Sequence, residues 1–162
     1  MIDLALARQQ SHWKRDGFLD KLFTTAENIM ISNAPVPDIM IWDLWSRKEA
    51  AYKIYQRQTK IRGFIPKQLQ CLDLELLNGE KFGKVSVNGN LYFTKTIIDG
   101  DCIHTIATTS IDDFAKIKSV ERHLISKDGN GIPFHTLNKN PVSISHHGRF
   151  EEKIQLEVNI EP

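Results

Sequence analysis

The chain has 162 residues, a length typical of one domain with a core of its own, so we expect a single domain over residues 1–162. Hydrophobic residues make up 41% and charged residues 25%, and the net charge of +1 provides no overall attraction to nucleic acid or to a membrane surface. No signal-peptide or membrane-length apolar run is present, and the two cysteines lack CxxC spacing, so we expect reduced thiols and a cytoplasmic location.

The first third of the chain has mainly helical spacing. Residues 1–10 predict a short strand that becomes helical near residue 5, and residues 18–23 predict a second helix. Thr24 followed by Glu27 predicts the N-cap of a third helix. Residues 33–38 break the pattern, and we expect Asp38 to be the N-cap of the helix that follows.

That helix, predicted over residues 41–57, carries the central polar pair of the chain. Its apolar residues recur in steps of three, four and seven, which is typical of an amphipathic helix. Trp45, Glu49 and Lys53 are four residues apart and therefore share one helix face. A Glu–Lys pair at this spacing is usually an ordinary solvent-facing ion pair, and only further residues could give it another meaning.

After this helix the spacing changes to that of strands. Residues 69–77 alternate, a hairpin is predicted around Asn88-Gly89, and a second hairpin turns at residues 99–101. Residues 111–125 return to helical spacing, and residues 127–133 have a loop composition. Residues 141–150 predict a strand that ends in a glycine-containing turn, and residues 153–160 predict the last strand. Early helices followed by grouped strands predict an α+β fold.

Three polar groups are candidates for chemistry. Glu49 offers the hard oxygen ligand that Mg²⁺ prefers. The segment Ser145-His146-His147-Gly148-Arg149 could donate to phosphate oxygens, although a structural or exposed His146 is the commoner case. Asp3 could be a ligand or the cap of the first helix. Basic residues after the central helix, at positions 57, 60, 62 and 67, could hold phosphates or form a solvated face.

Several common site classes have no support. The chain contains no GxxxxGK[ST], GxGxxG, GxSxG or HExxH motif, which argues against P-loop, Rossmann, hydrolase-elbow and zincin sites. Adjacent histidines on a strand point to opposite faces and make a poor zinc pair. The residues by themselves therefore predict an α+β protein with a candidate magnesium and phosphate site.

Five segments, taken in order, resemble the 4′-phosphopantetheinyl transferase superfamily, in particular its holo-acyl-carrier-protein synthase branch. Asp3-Leu4 resembles the end of an N-terminal strand motif in which two acids are separated by two residues. Residues 18–27 resemble the F-T-x-x-E segment, and residues 45–53 the signature W-[ST]-x-K-E-A-x-x-K. Residues 128–133 resemble a G-x-P turn, and residues 142–146 an S-x-S-H strand.

The resemblance implies an enzyme that transfers 4′-phosphopantetheine from coenzyme A to a serine of an acyl or peptidyl carrier protein and releases 3′,5′-ADP. It implies catalytic roles for Glu49 and Lys53, and it assigns Lys48, Ser145 and His146 to coenzyme A binding. Glu49 and Asp3 are the implied ligands of Mg²⁺. Lys53 near the incoming serine would act as a base either directly, after desolvation, or through a water molecule or Glu49.

One position departs from the family pattern. The first acid of the N-terminal motif would precede Met1, so we expect a natural start further upstream; otherwise Asp3 substitutes as ligand or the protein is impaired. The alternatives are therefore a binding module for coenzyme A or the carrier without a complete metal site, and an interaction domain in which Glu49 and Lys53 are merely exposed.

The resemblance also implies the architecture and assembly. We expect a transferase-like fold in which an antiparallel sheet packs against helices, as one half-unit of the kind that longer members duplicate. Family members of this length place the site between subunits, so a homo-oligomer is expected, with a trimer favoured. The carrier of fatty acid biosynthesis is one expected partner.

Overall fold

The computed structural model describes residues 1–157. The chain begins with strand β1 (Ile2–Asp3), followed by three short helices, α1 (Leu4–Gln10), α2 (Phe18–Leu22) and α3 (Thr25–Asn33). Asp3 is the N-cap of α1, and its carboxylate accepts from the backbone N–H of Leu6. The capping box predicted at Thr24 and Glu27 is confirmed, with both reciprocal hydrogen bonds formed.

Helix α4 (Pro37–Thr59) contains the predicted span 41–57 and extends beyond it at both ends. The expected N-cap was wrong, because Val36 is the cap residue and Asp38 lies in the first turn. Proline at the first helical position needs no N–H partner, so Pro37 starts the helix one residue before Asp38. The Asp38 carboxylate instead accepts a hydrogen bond of 2.8 Å from Nε of Arg8.

A five-stranded antiparallel sheet follows α4 in the chain. Its strands are β2 (Gln70–Leu77), β3 (Glu80–Val87), β4 (Asn90–Asp99) and β5 (Cys102–Thr108), with β1 at the far edge, in the order β1-β5-β4-β3-β2. The hairpin at Asn88-Gly89 is confirmed, and both residues have the positive φ that its tight turn requires. The hairpin around residues 99–101 is also confirmed.

The C-terminal third corrects one expectation. Residues 111–125 form no α-helix; they contain a 3₁₀ turn at Ile111–Lys116, strand β6 (Ile117–Ser119) and a second 3₁₀ turn at Arg122–Leu124. Strand β6 pairs with a neighbouring strand, and the buried Val120 donates to the carbonyl of Lys153. Part of the segment 111–125 therefore forms sheet hydrogen bonds where helical ones were expected. Its β-branched residues favour strands.

The remaining strands form two small antiparallel sheets. Strands β7 (Ile125–Lys127) and β8 (Pro133–His135) flank the predicted loop, while β9 (Val142–His147) and β10 (Phe150–Leu156) form a hairpin that continues into β6. The predicted last strand, 153–160, is observed as β10, and residues 158–160 lie outside the described residues. The α+β class with antiparallel sheets is therefore confirmed.

The core lies between α4 and the five-stranded sheet. Ile41, Leu44, Ala51 and Tyr55 on one face of α4 are buried against sheet residues such as Val85. Both cysteines are free thiols, as predicted. Within residues 1–157, no helix combines the length and apolar character needed to cross a bilayer.

Candidate functional site

The site is built on the face of α4 opposite the core. Because Ala51 and Tyr55 fix which face of the helix is buried, Glu49 projects away from the core and is exposed. Its carboxylate has no hydrogen-bond or ion-pair partner among residues 1–157, although Lys53 lies one turn away. A partner-free carboxylate beside an amine is available for a ligand, whereas a surface ion pair would already be formed.

Lys53 is held against strand β9. Its Nζ donates a hydrogen bond of 2.9 Å to the carbonyl of Ile144, and the residue is partly buried. Burial lowers the pKa of Lys53, nearby Glu49 opposes that shift, and Arg57 adds to it. Arg57, one turn further along α4, donates to the carbonyl of Val142 at 2.7 Å. These two contacts fix α4 and β9 side by side within one chain.

Four clefts border Glu49 or Lys53. One of them, about 410 Å³, extends from Glu49 past Trp45 to His147. The other three surround the helical turn between Glu49 and Lys53. The polar cleft, about 100 Å³, lies between α4, β5 and the β9–β10 hairpin, and it is lined by Glu49, Lys53, Arg57, His104, Ser145 and Glu152, among others. The basic cleft, about 680 Å³, shares Lys53 and Arg57 with it and adds Lys60, Arg62, Lys127 and His146. The apolar cleft, about 200 Å³, lies on the other side of Glu49 and is lined by Trp45, Tyr52, Phe64 and Ile65.

Strand β9 presents its predicted residues to different clefts. Ser145 lines the polar cleft, and its Oγ accepts a hydrogen bond of 3.0 Å from the amine of Met1. His146 is exposed and lines the basic cleft. Nδ1 of His147 accepts from the backbone N–H of Asp3 at 2.8 Å. Adjacent strand residues point to opposite sides, which gives His146 and His147 different surroundings.

Asp3 caps α1, which was one of its two predicted roles, and it also contacts Arg149, which the sequence did not predict. Its carboxylate is buried and accepts from Nε and Nη2 of Arg149 at 2.9 Å each, from the backbone N–H of Arg149 and from that of Leu6. The Arg149 guanidinium holds the pKa of this carboxyl well below its usual range. Asp3 is also absent from the linings of the three clefts. Its role as a metal ligand therefore stays a prediction.

Lys48 lies in the core. The family resemblance implied a role in coenzyme A binding, which stays a prediction; in the structure its side chain is 1% exposed and its Nζ pairs with Oε2 of Glu27 at 2.7 Å. The same Nζ donates to the carbonyls of Pro66 and Leu69, each at 2.7 Å. All three N–H donors of the ammonium are thus used inside the core, which leaves none for a ligand. Although Lys48 borders the apolar cleft, only its stem can contribute there.

Two residues of the polar cleft were missed from the sequence. His104 on β5 and Glu152 on β10 line the cleft together with Glu49 and Lys53, and burial lowers the pKa of His104. Neither residue lies in a motif, and each stands alone in an alternating strand. His104 reaches the site because β5 packs on α4, and Glu152 reaches it because the β9–β10 hairpin lies beside both.

Among residues 1–157, Glu49 could hold Mg²⁺ together with the phosphates of a substrate. Within residues 1–157, no group of three or more histidine, cysteine, aspartate or glutamate side chains is placed to hold a metal. Glu49 supplies one free carboxylate, and Mg²⁺ is commonly held by one or two carboxylates together with substrate phosphates and water. Glu49 therefore suits a metal ion that arrives with a phosphorylated substrate, and the part of the chain from 1 to 157 contains no preformed cage.

A comparison with known families completes the description. The family model of the 4′-phosphopantetheinyl transferase superfamily matches residues 2–90, more than half of the chain. The match contains Asp3, Glu27 and the helix with Glu49 and Lys53, whereas Ser145 and His146 lie beyond it. No curated protein and no solved structure matches the chain significantly. The chain belongs to the 4′-phosphopantetheinyl transferase superfamily.

Proposed function

We propose that this protein transfers 4′-phosphopantetheine from coenzyme A to a serine of an acyl or peptidyl carrier protein, as a Mg²⁺-dependent enzyme of the holo-acyl-carrier-protein synthase type. The observation that carries the proposal is the position of Glu49. Its free carboxylate lines both the polar cleft and the apolar cleft, one helical turn from Lys53, which lines the polar cleft and the basic cleft.

The charged and uncharged parts of coenzyme A match the basic and apolar clefts. Its adenosine 3′-phosphate and pyrophosphate suit the basic cleft, where guanidinium and ammonium groups can donate to phosphate oxygens. The pantetheine arm is long, flexible and largely uncharged, so it suits the apolar cleft of Trp45 and Tyr52. The pyrophosphate, at the end of the basic cleft where Lys53 lies, would then be about one helical turn from Glu49.

The reaction itself needs charge neutralisation and in-line positioning more than covalent catalysis. The serine Oγ forms a bond to the phosphorus that carries the pantetheine arm, and the bond from that phosphorus to the oxygen of 3′,5′-ADP breaks. Mg²⁺, held by Glu49 and the substrate phosphates, would supply the positive charge that stabilises the leaving oxygen. Lys53, with a pKa lowered by burial, would take the serine proton directly or through water.

The test is incubation with coenzyme A, Mg²⁺ and an apo carrier protein, with the carrier mass measured over time. We expect one phosphopantetheine adduct, and we expect Glu49→Gln to lower kcat/KM by roughly 10²-fold or more. Because Glu49 is exposed and has no partner, the same variant should change the free energy of unfolding by less than about 0.5 kcal/mol. Wild-type protein that forms no adduct with any carrier would refute the transferase proposal.

A second candidate is a module that binds coenzyme A or a carrier without transfer. The contacts of Asp3 favour this candidate. Arg149 pairs with the Asp3 carboxylate, so of the two proposed Mg²⁺ ligands only Glu49 has a free carboxylate within residues 1–157. This candidate requires coenzyme A binding that calorimetry finds unchanged by Mg²⁺ and by Glu49→Gln. If Mg²⁺ lowers the dissociation constant for coenzyme A in wild-type protein but not in Glu49→Gln, the result favours the transferase.

A further inference from the structure

The connection between α4 and β2, residues 60–67 (the 60–67 loop), exposes apolar and basic side chains together. Phe64 is 75% exposed and Ile61 52% exposed, and Lys60, Arg62 and Lys67 are exposed beside them. The sequence has no acidic residue between Glu49 and Asp73. Across residues 1–157, none of these three basic side chains forms an ion pair. The surface therefore combines uncovered apolar area with uncompensated positive charge.

The loop is anchored, so its exposed apolar residues do not result from a frayed end. The backbone N–H of Gly63 donates to the hydroxyl of Tyr52 at 3.0 Å, and the carbonyl of Pro66 accepts from the buried Lys48. Ile65 packs against the core. Apolar side chains that a fixed backbone holds in solvent, within a rim of charge, are typical of an interaction surface.

The position of the loop identifies the kind of partner. Phe64 lines the apolar cleft, which ends at Glu49, while Lys60 and Arg62 line the basic cleft, which contains Lys53. The loop is thus the ridge between the two clefts, and a partner seated on it would lie beside both functional residues. Its uncompensated positive charge favours a negatively charged partner, because complementary charges speed association and disfavour partners of like charge.

We propose that the 60–67 loop is the docking surface for the carrier protein, which would bind it through an acidic and apolar patch next to the acceptor serine. This inference rests on the proposed function, since it assigns a surface to the partner of the same site. Ile61 supplies the apolar contact that slows dissociation, and Lys67 steers the acidic carrier towards the clefts. Phe64, Lys60 and Arg62 face the clefts proposed for coenzyme A, at the edge of this surface.

The experiment uses Ile61→Ser and Lys67→Glu, because these two residues are exposed and line none of the three clefts. With an apo carrier protein of net negative charge, we expect each variant to raise the KM for the carrier roughly tenfold. The KM for coenzyme A should not change. The matched controls are Leu137→Ser, at an apolar residue that is 77% exposed elsewhere, and Lys118→Glu, at an exposed lysine on β6.

Equal carrier KM values in wild-type protein, both variants and both controls would overturn the docking proposal and leave the transferase intact. Calorimetry with the apo carrier identifies the opposite case, in which the docking proposal holds and the transferase proposal fails. Wild-type protein that binds the carrier without transferring to it, together with variants that do not bind, would refute the transferase and support the docking surface. Binding to phosphatidylcholine vesicles with phosphatidylglycerol that Ile61→Ser abolishes, with an unchanged carrier KM, would assign the loop to a membrane and overturn the proposal.

Discussion

Lys48 and Glu49 are adjacent residues with opposite environments. Lys48 lies in the core with every N–H donor used, whereas Glu49 faces the clefts and has no partner within residues 1–157. The difference follows from helix geometry, because adjacent positions on α4 are rotated by about 100° around its axis. One of the two charges in this motif therefore maintains the fold, and the other is available for chemistry.

The environment of Lys53 predicts a pH dependence. Burial disfavours its ammonium form, so the neutral amine that can accept a proton is present at a lower pH than for an exposed lysine. If Lys53 takes the serine proton, kcat/KM should rise with pH along a limb whose apparent pKa lies below the ordinary lysine value of 10.5.

The matched comparison is Lys53→Arg, which keeps a positive charge that does not titrate in this range. We expect this variant to lose the rising limb and most of the activity in pH–rate profiles measured with saturating coenzyme A. An unchanged limb in Lys53→Arg would assign the titration to another group.

At the scale of elements, α4 is fixed on one side to the helices and loop before the sheet, and on the other side to β9. The buried Glu27–Lys48 pair joins α3 to α4, and the second oxygen of Glu27 accepts from the backbone N–H of Cys71 at 2.8 Å. Lys53 and Arg57 join the opposite face of α4 to β9. The functional residues thus project from a helix that is held along its length.

Removing one partner of the buried pair should destabilise the protein strongly. Lys48→Met leaves the Glu27 carboxylate uncompensated in the core, so we expect the free energy of unfolding to fall by about 3–5 kcal/mol in urea titrations. Adding Glu27→Gln to Lys48→Met should recover part of that loss. Glu49→Gln is the neighbouring control and should have little effect. A Lys48→Met protein as stable as wild type would contradict the burial of this pair.

The β9–β10 turn has a glycine that the Asp3–Arg149 contact requires. Gly148 has a φ of +55°, and a Cβ placed there would lie 2.9 Å from Cβ of Asp3, whose carboxylate is fixed by four hydrogen bonds. Gly100 has a nearly identical φ of +54° with nothing within 4 Å of such a Cβ.

Comparison of the two alanine variants therefore separates steric contact from backbone strain. Both Gly148→Ala and Gly100→Ala should be destabilised by about 1–2 kcal/mol through the left-handed backbone. Gly148→Ala should lose clearly more, because the Asp3 side chain must also move. Equal unfolding midpoints for the two variants in urea would show that the turn tolerates the added methyl group.

At the scale of the whole molecule, one chain lines the polar and basic clefts from both sides. Helix α4 supplies Lys53 and Arg57, and strand β9 of the same chain supplies their carbonyl partners and His146. The predicted homo-oligomer and the preference for a trimer stay untested. Lys53, Arg57, Ser145 and His146 already line the polar and basic clefts within one chain.

If one chain suffices, the proposed transferase activity per chain should stay constant over a dilution series in which sedimentation velocity shows the oligomer dissociating. A shared site would instead lose activity in parallel with the loss of the oligomer. Activity that falls with the oligomer would show that a neighbouring chain completes the site, as in the family members that place it between subunits.

The sequence by itself determined the local structure wherever one short segment contains its own physical cause. The capping box at Thr24, the turn at Asn88-Gly89 and the amphipathic spacing of α4 are such cases, and the family resemblance added Glu49 and Lys53. The helix predicted over 111–125 failed because pairing with β10 outweighed a weak local preference.

Only the tertiary structure decided which charges are buried and which are free. Lys48 and Asp3 lie in motif segments, yet partners 21 and 146 residues away occupy them. His104 and Glu152 have no motif, yet they reach the polar cleft. The physical reason is that a charged group in the interior must be paired, and its partner comes from whatever the fold packs against it, which no local pattern encodes.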